Sequence, residues 1–197
     1  DVTGVQTCAL PILSGDFGKL DAVQTSYAEE IERGTERMIE LVGALLNVSR
    51  LELGTFSDEL EEISLPQMIA DIVKEHNPLV EQKKITLTKS VNTLVPSLRA
   101  DKKLTRIVLE NLISNAVKYT PSGGTVSVSL DFNKDKKDSV LYSVRDSGIG
   151  IPKSQQEQIF QKLFRADNAR EGDTDGTGLG LYLVKLITEK MGGSIRF

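Results

Sequence analysis

Cysteine and histidine are almost missing from this chain. Its 197 residues include one Cys (Cys8), one His (His76) and no Trp. A lone Cys excludes an internal disulfide framework, and one Cys with one His cannot supply the ligands of a structural zinc site. No run approaches the about 18 consecutive apolar residues of a membrane-spanning helix, so a soluble chain is expected. A basic excess is also lacking. The 24 Lys and Arg stand against 28 Asp and Glu, a formal charge of −4, and no nucleic-acid partner is expected. No GxxxxGK[ST] loop occurs, which removes the P-loop nucleotide binders. What is present, 39% hydrophobic and 26% charged residues, describes a globular chain that can bury a core. The length suits one domain plus an appendage.

Residues 1–13, DVTGVQTCALPIL, fit nothing that follows. Their apolar stretch is short, lacks a basic start and contains Pro11, so it reads neither as a signal peptide nor as a helix. It is similar to the read-through translation of a sequencing adapter, and a foreign end is expected there. From Leu20 to about Leu53, the residues Tyr27, Ile31, Gly34, Met38, Leu41, Leu45 and Val48 follow steps of four and three. That is the seam of a coiled coil or a helical hairpin, with charged residues such as Glu29, Arg33 and Glu40 turned outward. A helix with such a stripe needs a partner. Gly54 is placed to stop it, and residues 55–63, acidic from Asp58 to Glu62, read as a linker.

From Ser64 the pattern mixes helix and strand. Ser64 can cap a helix that begins around Pro66 and runs to about Lys83, with Pro78 kinking or ending it. Ile85, Leu87 and Lys89 alternate as a strand. Asp101 opens a helix through Tyr119 with Leu104, Ile107, Val108, Leu112 and Val117 inward. After the turn Pro121 to Gly124, the stretches Thr125 to Phe132 and Ser139 to Arg145 form a hairpin around a polar tip. A Gly- and Asp-rich stretch leads into a helix from about Leu179 to Met191, and Ser194 to Phe197 reads as a last strand. The expected class is α+β, a two-layer sandwich of helices on one face of a mixed sheet.

Three short clusters carry chemistry. Asn111 and Asn115 lie four residues apart on one helix face, with Lys118 and Tyr119 a turn further. Amide oxygens are hard ligands suited to Mg²⁺, and Lys118 can reach a phosphate; a plain solvated helix face fits the same pattern. Asp146, Ser147, Gly148, Ile149 and Gly150 follow a strand, where an Asp can accept from an exocyclic amine and glycines admit a flat base. An ordinary Asp-Ser-Gly turn fits as well. Gly176, Thr177, Gly178, Leu179 and Gly180 open the last helix and expose N–H groups to an anion. This is not a dinucleotide fingerprint, because a polar loop and not a strand precedes it.

In this order and spacing, the three clusters resemble the N box and the two glycine boxes of sensor histidine kinases, whose ATP-binding domain is of the Bergerat type. Residues 159–167, with Phe160 and Phe164, resemble the intervening phenylalanine box. Residues 14–54 resemble what remains of the family's dimerisation hairpin, and residues 64–197 its ATP-binding catalytic domain without the C-terminal strand. The resemblance implies ATP and Mg²⁺ as cofactors. Asn115, helped by Asn111, would hold Mg²⁺ between the phosphates; Lys118 would contact a phosphate and Tyr119 would pack on the nucleotide. Asp146 would accept from the adenine amine, with Gly148 and Gly150 lining the base. Gly176, Thr177, Gly178, Leu179 and Gly180 would face the phosphates. Residues from Lys153 to Asp175 would form a lid carrying Phe160, Lys162, Phe164 and Arg165. Leu163 departs from the family's second Phe, and Lys162 stands where a lid Arg is common.

The resemblance further implies phosphoryl transfer to a histidine, a receiver domain of a response regulator as downstream partner, a homodimer through the hairpin, and a cytoplasmic location, whether or not a parent protein is anchored in a membrane. The family's phosphoacceptor box, roughly His-Glu-Leu-Arg-Thr-Pro-Leu, has no counterpart upstream of Leu20. His76, in Glu75-His76-Asn77-Pro78, lacks that box and reads as a surface or packing histidine. Autophosphorylation of this chain is therefore not expected, and a fragment cut at both ends is. Two alternatives remain at this point: an ATPase of the gyrase or chaperone type, which needs a Glu where Asn111 stands, and a non-enzymatic dimerisation module.

Overall fold

The computed structural model describes residues 18–54, 59–133, 139–171 and 176–197. The expected foreign end with Cys8, part of the linker, the tip of the hairpin and residues 172–175 of the lid lie outside the described residues. In chain order the elements are α1 (Ala22–Glu52), β1 (Leu60–Ile63), α2 (Leu65–Gln82), β2 (Thr86–Val91), β3 (Leu98–Asp101) and α3 (Lys102–Tyr119). They are followed by β4 (Thr125–Phe132), β5 (Val140–Asp146), a 3₁₀ turn (Lys153–Gln158), α4 (Asp167–Glu171) and α5 (Gly180–Lys190).

Local chemistry sets most of these boundaries. Asp21 caps α1 through Val23 N and Gln24 N, while Gln24 Oε1 accepts from Asp21 N, a reciprocal capping box. Gly54, at φ +66, follows its last turn. Ser64 caps α2, and Pro66 occupies a first-turn position where no N–H is needed. Asp101 caps α3 by accepting from Leu104 N at 2.9 Å.

The sheet has the order β2-β4-β5, with β2 parallel and β5 antiparallel to β4. It is the mixed sheet expected from the sequence. Val126, Val128 and Leu130 alternate along β4 and have no solvent exposure. They pack under Ile69 and Ile72 of α2 and Ile113 and Val117 of α3, so two helices cover one sheet face. A separate antiparallel pair, β1 with β3, lies against α3.

Several expectations need correction. The linker read over residues 55–63 ends in β1. Only Ile63 of that strand is buried, so main-chain pairing to β3 builds it while Glu61 and Glu62 stay in water, and no alternation marks it. Pro78 does not end α2. It sits on the exposed side, and the last turn is held by Lys83 N on Leu79 O (3.0 Å) and Ile85 N on Val80 O (2.9 Å). The buried stripe of α3 runs through Leu104, Leu109, Ile113, Ala116 and Val117. Ile107, Val108 and Leu112 are only half-buried, because α3 contacts both α2 and α5 and carries apolar residues on two flanks. Residues Ser194 to Phe197 join no ladder among the described residues; the Phe197 ring instead meets Phe160 edge-on at 6.0 Å.

Leu130 lies at the centre of the core. Leu130→Ala is expected to cost about 2–5 kcal/mol in urea unfolding, the range for a fully buried leucine.

Candidate functional site

Helix α3 carries the first cluster because its two faces do different work. Ile113, Ala116 and Val117 face the core, while Asn111, Asn115, Lys118 and Tyr119 remain half-buried at its edge. Asn111 Nδ2 donates to Ile107 O at 2.8 Å, one turn back. That bond orients the amide and turns Asn111 Oδ1 toward the start of α5: a Cβ placed on Gly180 would lie 2.5 Å from Asn111 Oδ1 and 3.9 Å from Asn115 Nδ2. The Lys118 ammonium lies 5.7 Å from the centre of the Tyr119 ring.

The second cluster hangs on the end of the same helix. Asp146 ends β5, and its Oδ1 accepts from Gly148 N at 2.8 Å. Ser147 ties the loop to β4 twice, through Ser147 N on Thr125 O (3.0 Å) and Thr125 N on Ser147 Oγ (2.8 Å). Ile149 N donates to Tyr119 O at 3.3 Å, so the loop and the last residue of α3 share a hydrogen bond. From α4, Asn168 Nδ2 donates to Ile149 O (3.2 Å) and Gly150 O (3.0 Å).

The third cluster closes the ring. A Cβ on Gly176 would meet Tyr119 Oη at 3.3 Å, Lys118 Nζ at 3.5 Å and Arg165 Nε at 3.7 Å. Thr177 Oγ1 accepts from Leu179 N at 3.3 Å, just ahead of α5. Gly178 passes against the backbone of Leu163 and Phe164. The structure thus brings Asn111, Asn115, Lys118, Tyr119, Arg165 and the glycine loop together, and it sets Asp146, Gly148 and Gly150 beside them. The arrangement offers the Asn111 amide oxygen, the Asn115 amide, two cationic side chains and a helix N-terminus around one region, which suits a nucleotide polyphosphate.

Lys162 is placed elsewhere. It pairs with Glu52 at the end of α1 (3.3 Å) and lies 6.0 Å from the Tyr182 ring centre; Tyr182 Oη donates to Glu52 Oε1 at 2.8 Å. The Tyr182 hydrogen bond, then Lys162, holds the Glu52 carboxyl below its ordinary pKa, and the same bond raises that of the Tyr182 phenol. Lys162, read from its place in the sequence as a lid residue, thus makes its described contacts with a carboxylate and an aromatic face. Beside it, Val48 packs on Leu179 and Leu183. Leu179, read as part of a glycine box, is therefore also a packing residue, 1% exposed. Lys83, Asn168, Glu52 and Tyr182 were not singled out in the sequence, since each acts across long separations that leave no local pattern. His76 sits on α2 with Nε2 buried and without a hydrogen-bond partner among the described residues.

Gly178 adopts φ +69, and a Cβ there would lie 2.7 Å from Leu163 C and 2.9 Å from Phe164 O. Gly178→Ala is expected to lower stability by about 1–3 kcal/mol in thermal unfolding, through strain at backbone that cannot move aside. Glu52→Gln is expected to bring the Tyr182 titration back toward the ordinary phenol range, read by tyrosine-labelled NMR against the three other tyrosines.

Comparison with known proteins places these features in a family. Residues 100–197 match the model of the histidine kinase-, DNA gyrase B- and HSP90-like ATPases. The sensor-like histidine kinase SenX3 of Mycolicibacterium smegmatis is 33% identical over 170 residues, covering 86% of this chain and 43% of that protein. The sensor histidine kinase WalK of Bacillus subtilis is 36% identical over 162 residues, 82% of this chain and 26% of WalK. Among solved structures, full-length ShkA in complex with AMPPNP superposes with a TM-score of 0.75 at 25% identity, over 97% of this chain and 38% of that one. The nucleotide-free catalytic domain of histidine kinase ThkA superposes at 0.57 with 26% identity, over 68% of this chain and 83% of that domain. The chain spans less than half the length of these curated relatives. With an N box, two glycine boxes and a mixed sheet under two helices all in place, the chain belongs to the histidine kinase-, DNA gyrase B- and HSP90-like ATPase family, as the ATP-binding part of a sensor histidine kinase.

Proposed function

We propose that this chain binds Mg-ATP and presents its γ-phosphate to a histidine on a helical hairpin of the kind to which α1 belongs. The observation that carries the reading is the meeting of Asn111, Asn115, Lys118 and Tyr119 with Gly176 and Gly180 at the opening of α5. ATP as the nucleotide is supported by the family match and by the AMPPNP bound to ShkA.

The donor set fits Mg²⁺. Asn111 spends its N–H on Ile107 O and keeps its oxygen for a ligand. No group of three His, Cys, Asp or Glu able to hold a metal exists among the described residues. An ion held by amide oxygens and completed by phosphates and water is the Mg²⁺ pattern, and Asn115 with Asn111 would hold it. Bound there, Mg²⁺ neutralises charge on the phosphates.

The chain's own residues do the remaining work. Asp146 accepts from the adenine amine, Gly148 and Gly150 line the base, and Tyr119 packs on the nucleotide. Lys118 and the N–H groups from Gly176 to Gly180 hold the phosphates at the N-terminus of α5. Arg165, whose Nε stands beside Gly176, adds a lid cation, while Phe160 and Phe164 pack the lid. Transfer then depends on positioning and charge neutralisation. Asn111 cannot take a proton from water, because a neutral amide is not a base, which disfavours hydrolysis. The phosphate passes on to a receiver domain of a response regulator, and a second copy covers the exposed apolar face of α1.

Isothermal titration with AMPPNP is expected to show Mg²⁺-dependent binding, and no heat in any condition sinks the reading. Asn115→Ala is expected to remove the Mg²⁺ dependence; unchanged dependence moves the metal to other residues. With radiolabelled ATP the chain alone is expected to gain no acid-labile phosphate, while a phosphoacceptor hairpin added in trans gains it. Label on His76 overturns the assignment of that residue as a non-acceptor.

A further inference from the structure

Helix α3 ends with four carbonyls that have no partner within the helix, as every α-helix does. Here all four are taken. Ala116 O accepts from Thr120 N (3.2 Å) and Thr120 Oγ1 (2.6 Å), and Tyr119 O accepts from Ile149 N (3.3 Å). The middle two, Val117 O and Lys118 O, both accept from one group, the ammonium of Lys83, at 2.9 and 2.8 Å. Lys83 lies 34 residues earlier, at the end of α2, outside every nucleotide motif. Its side chain is half-buried, and burial lowers its pKa from the ordinary lysine value. A cation at that point also opposes the partial negative charge at the helix C-terminus. Lys83 O, in turn, accepts from Gly123 N at 2.9 Å, fastening the turn that follows α3.

The residues held by this contact are the ones that face the nucleotide. Lys118 and Tyr119 form the last turn, and Tyr119 O carries Ile149, which follows Gly148 and the Asp146 carboxylate bound to it. We propose that Lys83 is a positioning residue for nucleotide binding: its ammonium closes the last turn of α3, so that Lys118, Tyr119 and the loop from Asp146 to Gly150 keep one arrangement. The proposal rests on the nucleotide reading above and adds a residue to it that touches no nucleotide. Without Lys83, two carbonyls lose their donor, the last turn frays, and the phosphate-facing and base-facing groups move together.

The test compares Lys83→Met, Lys83→Arg and Ile72→Val with the unmodified chain, by AMPPNP titration with Mg²⁺ at a temperature where circular dichroism shows each folded. Ile72→Val lowers stability from within the core and leaves the end of α3 alone. Lys83→Met is expected to bind about tenfold more weakly, the loss of charge-assisted hydrogen bonds, with Lys83→Arg restoring most of the affinity. The Ile149 amide is expected to exchange its hydrogen faster in Lys83→Met and at the normal rate in Lys83→Arg. Unchanged affinity in folded Lys83→Met overturns the proposal, and so does an equal loss in Ile72→Val. Should Lys83→Met not fold, Lys83→Gln takes its place, and full affinity in that variant overturns the proposal in the same way. An unmodified chain that binds no nucleotide overturns the nucleotide reading itself, a result distinct from the others.

Discussion

Ile113 and Val117 have no solvent exposure, and their burial on the sheet is the constraint on which the site depends. Both lie on α3, among the polar residues of the N box. A helix turns 3.6 residues per turn, so fixing Ile113 and Val117 in the core leaves no rotational freedom for Asn111, Asn115 and Lys118. The polar face is then aimed at the glycine loop before α5 with no further device. The energy comes from apolar burial, shared by Ile69 and Ile72 of α2 and by Val126, Val128 and Leu130 of β4. The half-buried polar groups of α3 contribute little to stability themselves, and the core supplies it for them.

The same helix organises the surrounding loops through its main chain. Its N-terminus is held by Asp101, and its C-terminus by Thr120, Lys83 and Ile149. The loop from Asp146 to Gly150 is therefore bonded to the helix that carries Asn111, Asn115 and Lys118. Asn168 adds a third connection, from α4 in the lid to Ile149 O and Gly150 O. Two hydrogen bonds from one amide thus tie α4 to the loop that follows β5.

Helix α1 belongs to the site less directly. Most of its seam is exposed, with Tyr27 at 64%, Ile31 at 55% and Leu45 at 48%. Its C-terminal end, by contrast, packs Val48 on Leu179 and Leu183 and sets Glu52 against Lys162 and Tyr182. One end of a long amphipathic helix thus meets Lys162 and the helix that opens after the glycine loop. The contact between Glu52 and Lys162 is partly exposed, so it adds little to stability and serves mainly to set where the two side chains lie. The apolar packing of Val48 carries more of the docking.

The elements readable in the sequence were those with a strong local signature. The caps at Ser64 and Asp101, the stripe of α1, the hairpin of β4 and β5 and the glycines before α5 each follow from neighbouring residues. The residue types of the site were readable for the same reason: amides four apart, an Asp after a strand and glycines at a helix start are short-range patterns. β1 was hidden because its stability lies in main-chain bonds to β3, roughly forty residues away, with little side-chain burial. Pro78 misled because a proline on an exposed helix face loses one hydrogen bond while the packing of α2 continues. The amino-acid sequence by itself determined the family, the long helices and the residue types of the three clusters. Only the tertiary structure decided that Lys162 turns to Glu52, that Leu179 packs on Val48 and that Lys83 closes the end of α3, because each is a contact between residues far apart in the chain, chosen by which surfaces the core brings together.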